Sequence, residues 1–458
     1  MSKQNQPYTF RYNSGEGAMH KKLKALRGEV LTFKKDPFLN ELKDCVEHYK
    51  DGIVVIKGDT IEAVGNFSDV IVSFPALTDI ATYEDSVIMP GFVDCHLHYV
   101  QSPMIASAGD TLLSWLKQYT FPTEAKFKDK KFAEEVAKIF FRQLLMNGTT
   151  TANVFATTFE ESVDALFEES ARYNARTICG KVLQDRNLPS DLQDSSAEES
   201  VMTSERLLNK WHSKGRQLYA VVPRFAPTST RLQLRLAGEL YQSYKDKGVY
   251  MHTHLGEAEN EIEWVKSLYP EARDYTDVYA SYDLLGKRSV FAHCCLMEER
   301  EWQTLHDAEC GVAHCPSSNL FLGDAQFRYW EAKDVRRPCK VGMGTDIGGG
   351  TYFSVLRQLG DAYKVAMLHD RYLSAAKSLY LATRGGAEVL GLEDKIGSVA
   401  AGYEADMVVV DLKPTEFIEW RMQFADDIFS KLFILQTLGA EAYVKATYVA
   451  GEKVYSKV

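Results

Sequence analysis

Eight short apolar runs punctuate the middle of the chain. They lie near Gly91–Cys95, Thr150–Ala156, Thr177–Leu183, Leu218–Pro223, Val249–His254, Val290–His293, Val312–Cys315 and Val341–Thr345. Each has the length and composition of a strand buried on both faces. Segments with helical spacing fall between most of them. The clearest runs from Phe132 to Met146, with Phe132, Val136, Ile139, Phe140 and Leu144 on one face and Gly148 as a stop. Strands alternating with helices in this way predict an α/β fold, a closed parallel (β/α)8 barrel of the TIM type. Such barrels run to about 250 residues and carry their chemistry at the C-terminal strand ends.

The two ends of the chain read differently. Gly52–Gly65 is patterned as two strands around a Gly58-Asp59 turn, and Asp406–Asp411 and Ala446–Tyr455 also read as strands. A small discontinuous β-sandwich domain is therefore expected from residues 1–89 plus 391–458, with the catalytic barrel, residues 90–390, inserted between them. Pro90-Gly91 and the Gly397–Gly402 region are the expected junctions. Two separate small domains are the alternative. Residues 1–25 match no element and read as a flexible arm.

Polar residues stand at the ends of four of the predicted barrel strands. His96 and His98 close the first, His254 the fifth, His293 the sixth and Asp346 the eighth. Residues two apart on a strand face one side, so His96 and His98 point together as a two-histidine metal clamp requires. A lone His-x-His is weak evidence, since polar residues at a strand end explain it too. His252 and His254 share the same relation. His254, nearer the strand end and followed by Gly256-Glu257, is the expected ligand, and His252 a packed or hydrogen-bonded barrel histidine. Asp346 precedes Ile347-Gly348-Gly349-Gly350 and would serve alone as a turn or capping aspartate. His293 fits a fourth ligand or an acid/base group. Four independent accidents at strand ends one, five, six and eight are harder to accept than any single one. Glu257, three residues past His254, suits a proton shuttle. It also suits the first turn of a helix, because Glu257, Glu259, Glu261 and Glu263 form an acidic run.

Such a set of imidazoles and a carboxylate points to a metal-assisted hydrolysis. Bulk water has a pKa of about 15.7 and zinc-bound water can reach about 7. At ~1.36 kcal/mol per unit that is roughly 12 kcal/mol of help in forming hydroxide. General acid–base catalysis alone contributes ~10²–10⁴-fold. Imidazole and carboxylate suit zinc, and also iron.

Composition narrows the partners. A net charge of −10 over 458 residues disfavours nucleic acid, which needs a basic surface. No stretch approaches the ~20 apolar residues of a membrane span, and Met1–Arg11 lacks an apolar signal core. The eight cysteines contain no Cys-x-x-Cys pair, so reduced thiols and a cytoplasmic location are expected.

Pro90-Gly91-Phe92-Val93-Asp94-Cys95-His96-Leu97-His98 and Ile396-Gly397-Ser398-Val399-Ala400-Ala401-Gly402-Tyr403-Glu404-Ala405-Asp406-Met407-Val408-Val409 resemble the first-strand signature and the C-terminal return of the amidohydrolase superfamily. Within it the chain is most similar to the guanine deaminases of the bacterial type. Leu113–Glu124, Pro223–Ser229, Trp264–Pro270 and His314–Leu320 carry that likeness, which extends from about residue 25 onward.

The resemblance implies one zinc held by His96, His98, His254 and Asp346, with His293 beside it. It implies purine contacts from Gln101, Arg224 and Phe225, together with His254, Glu257 and Asp346. These residue types suit a purine. Arg224 can donate to a carbonyl oxygen, Gln101 can read a ring edge, and Phe225 can stack. Trp115 and Phe121 serve as pocket covers or core. In the implied reaction Glu257 moves a proton from water to a ring nitrogen, C2 of guanine is attacked, and Asp346 and His293 hold the nucleophile. Xanthine and ammonia result. A homodimer acting on a small-molecule purine is what the resemblance suggests, and the hydropathy adds no membrane partner.

The sequence departs from the family pattern at two places. Cys95 stands where threonine is usual, and Gly256-Glu257-Ala258 replaces Ser-Glu-Asn or Cys-Glu-Asn. No lysine follows Tyr219-Ala220-Val221-Val222-Pro223, which argues against a lysine-bridged two-metal site. The His-x-Glu and Pro-Cys-x-x-Cys pattern of the other zinc deaminases is absent. The competing expectations are a relative acting on another heterocycle, such as a pterin or triazine, and a non-catalytic scaffold.

Overall fold

The computed structural model describes residues 8–13, 23–109, 111–439 and 443–457. Both ends of the chain contribute to one mixed sheet. Its strands are β1 (Tyr8–Phe10), β2 (Leu23–Phe33), β3 (Val46–Lys57), β4 (Thr60–Asn66) and β5 (Ile80–Pro90) from the N-terminal side. The barrel strands are β6 (Phe92–His98), β7 (Thr149–Phe155), β8 (Arg176–Gly180) with the short β9 (Val182–Leu183), β10 (Gln217–Pro223), β11 (Tyr250–Leu255), β12 (Ser289–His293), β13 (Gly311–His314) and β14 (Lys340–Met343). The chain then returns to the first sheet with β15 (Met407–Asp411), β16 (Val444–Val449) and β17 (Glu452–Lys457).

The order β1-β17-β16-β15-β5-β2-β3-β4 interleaves the two ends. β15 runs antiparallel to β5 in the register Met407↔Pro90 to Asp411↔Ser86. Register shifts in β2–β3, β3–β4, β15–β16 and β16–β17 kink these strands, which lets the sheet curl. Leu26, Val30, Val54, Ile56, Ile88, Met407, Val409, Ala446 and Tyr448 then share one core. Both chain ends thus build one additional sheet, curled about its own core, where a small β-sandwich was expected. Of the arm expected over residues 1–25, positions 1–7 and 14–22 lie outside the described residues. Tyr8–Phe10 departs from that expectation, because it pairs with β17 as a strand.

The second sheet is parallel throughout, in the order β14-β13-β12-β11-β10-β8-β7-β6. The circle closes where the chain leaves β14. The Asp346 amide donates to the His96 carbonyl at 2.9 Å, and the Thr345 amide to Asp94 Oδ1 at 3.0 Å. Val93, Cys95, Ile178, Ala220, Val222, Val290 and Ala313 form an inner cluster with Ala387, Val389 and Leu390, on and just after the helix Arg384–Val389 that follows the last barrel strand. Hydrophobic and aromatic residues dominate this end, so the polar residues concentrate at the other mouth.

Two local departures have physical causes. The helix expected over Phe132–Met146 starts at Lys130, because the Asp129 side chain accepts from the Lys131 amide. Its buried stripe runs through Ala133, Val136, Ala137, Phe140, Phe141 and Leu144. Ile139, expected on that face, is 51% exposed. The run Thr177–Leu183 is split at Lys181, whose ammonium turns into a buried pocket and bonds Thr158 Oγ1, Asp194 Oδ1 and the Val182 carbonyl.

The sandwich is tied to the barrel by a charge cluster. Arg216, just before β10, pairs with Glu404 and Asp406, just before β15, and Arg176 at the start of β8 pairs with Glu404. Burial lowers the Arg216 pKa, but the two carboxylates outweigh it, and the guanidinium is held above its ordinary range. Removing one partner of a buried charge set typically costs ~3–5 kcal/mol. Arg216→Ala is accordingly expected to lower unfolding stability by about that amount, measured as a fall in the urea midpoint against the parent protein.

Candidate active site

The ends of β6, β11, β12 and β14 bring the predicted polar residues to one place. β6 carries one extra residue relative to β7, since Asp94 pairs with Ala152 and Leu97 with Val154. Simple alternation therefore fails between those positions, and a bulge re-aims the histidines. Both still reach Asp346: its Oδ1 lies 3.2 Å from His96 Nε2 and 3.4 Å from His98 Nε2. His98 Nε2 and His254 Nε2 are 3.2 Å apart. His293 Nε2 is 3.8 Å from Asp346 Oδ2.

These spacings test whether a metal fits. Four ligands at ~2.0–2.1 Å from a tetrahedral ion stand roughly 3.3–3.4 Å from one another. The observed distances of 3.2, 3.4 and 3.2 Å fall close to that edge length. His96 Nε2 is buried with no hydrogen-bond partner. Buried polar atoms are ordinarily satisfied, and a cation would satisfy this one. Donor atoms of His96, His98 and His254 fall within 4.8 Å of one another, as do those of His96, His293, Cys315 and Asp346. Burial, with Asp346 and Asp94 nearby, pushes the Cys315 thiol well up, which leaves it the poorer donor.

The neighbours of the imidazoles fix their tautomers. His254 Nδ1 lies 2.7 Å from the Arg224 carbonyl, which can only accept, so Nε2 is left with its lone pair. His96 Nδ1 lies 2.9 Å from His252 Nε2, so His252 is a hydrogen-bonded barrel histidine that orients its neighbour. Burial pulls His98, His252 and His254 well below the ordinary imidazole value and His293 down to about 4. All four stay neutral, as a metal ligand such as His98 or His254 must. Burial raises the Asp346 carboxyl, but His96, His293 and His98 more than reverse this and hold it well below the usual range.

Two of these residues sit in the left-handed region, His293 at φ 70° and Asp346 at φ 48°. Such backbone costs on the order of 1–3 kcal/mol per residue and clusters at functional sites. Here it turns each chain sharply at the strand end.

Glu257 lies on the loop after β11, ahead of the helix Glu259–Leu268. Its Oε1 is 3.5 Å from His293 Nδ1. Glu261 holds this loop, accepting from the Glu257 amide at 2.8 Å and from the Tyr275 hydroxyl at 2.9 Å. The acidic run thus divides. Glu257 and Glu261 are buried, and Glu259 and Glu263 are exposed. Burial, then Asp324 and Asp346, pushes the Glu257 carboxyl well up. Burial with Glu261 and Asp346 raises Asp324 to about 7.

A cleft of about 420 Å³ opens over this cluster, lined by His98, Gln101, Trp115, Arg224, Phe225 and His254 among others. Phe225 stands at 6.5 Å from the His254 ring and packs edge-on against Trp264. Trp115 lines the cleft, its indole fixed by the Ser107 carbonyl at 2.8 Å. Phe121 lies beneath the Arg224 guanidinium instead, 5.9 Å from ring to charge.

Four further participants escaped the sequence reading: Glu124, Asn319, Glu261 in its orienting role, and Cys315. Asn319 Nδ2 is 3.2 Å from His293 Nδ1. Glu124 had a faint signal, the single carboxylate between Phe121 and Phe127. Of the two family departures, Cys95 is buried and donates to the Gly386 carbonyl at 3.7 Å. Gly256 adopts φ 62°, a conformation that suits glycine over the usual residue.

A parallel barrel with imidazoles, a carboxylate and a raised glutamate at its C-terminal mouth is the architecture of a metal-dependent hydrolase. The chain belongs to the amidohydrolase family, whose model matches residues 87–454. The guanine deaminase of Escherichia coli is 44% identical over 438 residues, 95% of this chain and 98% of its own length. The crystal structure of guanine deaminase from Bradyrhizobium japonicum matches with a TM-score of 0.92 at 32% identity, covering 95% of this chain and all of that one. The guanine deaminase from C. acetobutylicum, solved with guanine bound in the active site, matches with a TM-score of 0.84 at 25% identity over 94% of this chain.

The donor geometry generates one expectation. Protein dialysed against buffer should retain about one divalent ion per chain, read by plasma emission spectrometry. His98→Ala and Asp346→Ala should each retain less than about a tenth of that, since losing one ligand of four typically costs far more than the ~10–100-fold lost with an outer-shell partner.

Proposed function

We propose that this chain is a guanine deaminase that converts guanine and water to xanthine and ammonia. One observation carries the reading. The metal-spaced donors and a paired Gln101–Arg224 edge face each other across a single cleft. The 44% identity to the Escherichia coli enzyme over nearly the whole chain supports it. Residues 90–390 form the catalytic barrel domain in this reading, and residues 1–89 plus 391–458 the small domain. A related activity on a pterin or triazine ring is disfavoured by the same identity.

His96, His98, His254 and Asp346 would hold the ion, with zinc the metal whose tetrahedral preference their spacing suits. The bound ion supplies Lewis-acid activation of water, which lowers its pKa from about 15.7 toward ~7. Phe225 covers one face of the purine, and Arg224 donates from its guanidinium to the 6-oxo oxygen. Gln101 meets the adjoining ring edge. Burial keeps Glu257 basic enough to take a proton from the attacking water at Oε1. It then returns that proton to a ring nitrogen beside C2. His293, neutral and steadied at Nδ1 by Asn319, donates from Nε2 toward the oxygen that adds to C2. Asp346 stays ionised and guides the proton to the departing amine. Trp115 and Leu116 exclude bulk water above the ring.

The resemblance is the basis for a homodimer, and the eight unpaired, buried cysteines support a cytoplasmic setting.

Metal-replete protein should release ammonia from guanine and leave adenine and cytosine untouched. Chelation should abolish this, and added zinc should restore it. Glu257→Gln should keep its metal and lose ~10²–10⁴-fold in kcat, the usual weight of a proton-transfer group. Equal or better turnover of another heterocycle in the same ammonia assay would displace guanine as the substrate.

A further inference from the structure

Glu124 is fully buried, with 0% of its surface exposed. It sits shortly after a π turn, Leu116–Thr120, in the segment that covers the cleft. One residue more per turn rotates the next stretch of helix by about 100° relative to a continuous α-helix, and such turns recur at functional sites. Each oxygen of Glu124 holds a different residue of the cleft. Oε2 accepts from Arg224 Nη1 at 2.7 Å, and Oε1 accepts from Gln101 Nε2 at 3.0 Å. Both partners are themselves buried, at 3% exposure each.

We propose that Glu124 is a positioning residue that sets the hydrogen-bond polarity of the Gln101–Arg224 edge and so selects a 6-oxo purine over one lacking that oxygen. The assignment rests on the reading of Arg224 and Gln101 as contacts to the ring. A carboxylate only accepts, so it commits the Gln101 amide nitrogen and turns Oε1 the other way. That oxygen lies against Gly348, where an added Cβ would come within 2.0 Å of it. Gln101 thus presents an acceptor beside the glycines of the cleft. Arg224 spends Nη1 on Glu124 and keeps Nη2 and Nε for a ligand, in a plane fixed by the fork. The edge offers donors next to an acceptor. A 6-oxo purine is its complement, with O6 as acceptor and N1–H as donor. Without Glu124 the Gln101 amide is free to turn over, and the acceptor becomes a donor facing N1–H.

The test compares wild type with Glu124→Gln on guanine and on 2-aminopurine, which has neither the 6-oxo group nor N1–H. Metal content is measured alongside. Glu124→Gln should keep its metal and lose about tenfold to a hundredfold in kcat/KM on guanine, the range for a charged hydrogen bond. On 2-aminopurine the loss should be under roughly threefold, because no edge contact is there to lose. Equal falls on both rings would overturn the proposal and leave Glu124 a purely structural ion pair. Glu124→Asp keeps the charge but is one methylene too short to span both partners, so the same guanine-selective loss is expected if Glu124→Gln does not fold. Wild type that released no ammonia from guanine would overturn the substrate reading instead. Glu124 is then judged by a crystal structure of the variant. Gln101 turned or displaced from Gly348 is expected, and Gln101 and Arg224 both in place would overturn the assignment.

Discussion

Packed imidazoles with unused lone pairs are the constraint on which this structure depends. The rings of His96, His98 and His254 stand 4.7–5.2 Å apart by centroid, with His293 5.5 Å from both His96 and His254. Desolvation keeps His98, His254 and His293 neutral, so charge repulsion is avoided, but water is also shut out. Buried nitrogen lone pairs without partners cost free energy comparable to a lost hydrogen bond each. A shared cation resolves the conflict, and the surrounding bonds are arranged to point the lone pairs inward. His252 and the Arg224 carbonyl occupy the far nitrogens of His96 and His254, whereas the Asn319 amide donates to His293 Nδ1 and leaves the proton of that ring on Nε2.

Arg224 links two tasks through two different atoms. Its carbonyl accepts from His254 Nδ1, and its side chain reaches Glu124 over the cleft. The backbone at this position orients a site imidazole, and the side chain lines the cleft. The two contacts meet in one residue without competing for the same group.

Much of this was legible in the sequence because it rests on local pattern. The barrel strands announce themselves as apolar runs, and their polar ends mark the mouth of the barrel. His96, His98, His254, His293 and Asp346 could be named from position alone. What stayed hidden depends on contacts between distant segments. Glu124 is a glutamate on a short helix until the fold lays it between Gln101 and Arg224. Lys181 interrupts a run that reads as one strand, because its ammonium has a buried partner in Asp194. Ile139 fits a helical face by spacing but lies at the margin of the stripe that packs, and only the neighbouring helices decide that margin. The bulge in β6 is equally silent, since one extra residue shows only against the partner strand.

The bond that closes the barrel runs between two residues of the site, from the Asp346 amide to the His96 carbonyl. These positions are 250 residues apart (346 − 96), so at ~5–20 residues per second a ribosome delivers them roughly 12–50 s apart. Until the later one emerges, the nascent polypeptide lacks both the bond that closes the barrel and the carboxylate that faces His96 and His98. A translation product cut short before Asp346 is left with an open sheet and an incomplete cluster of polar side chains.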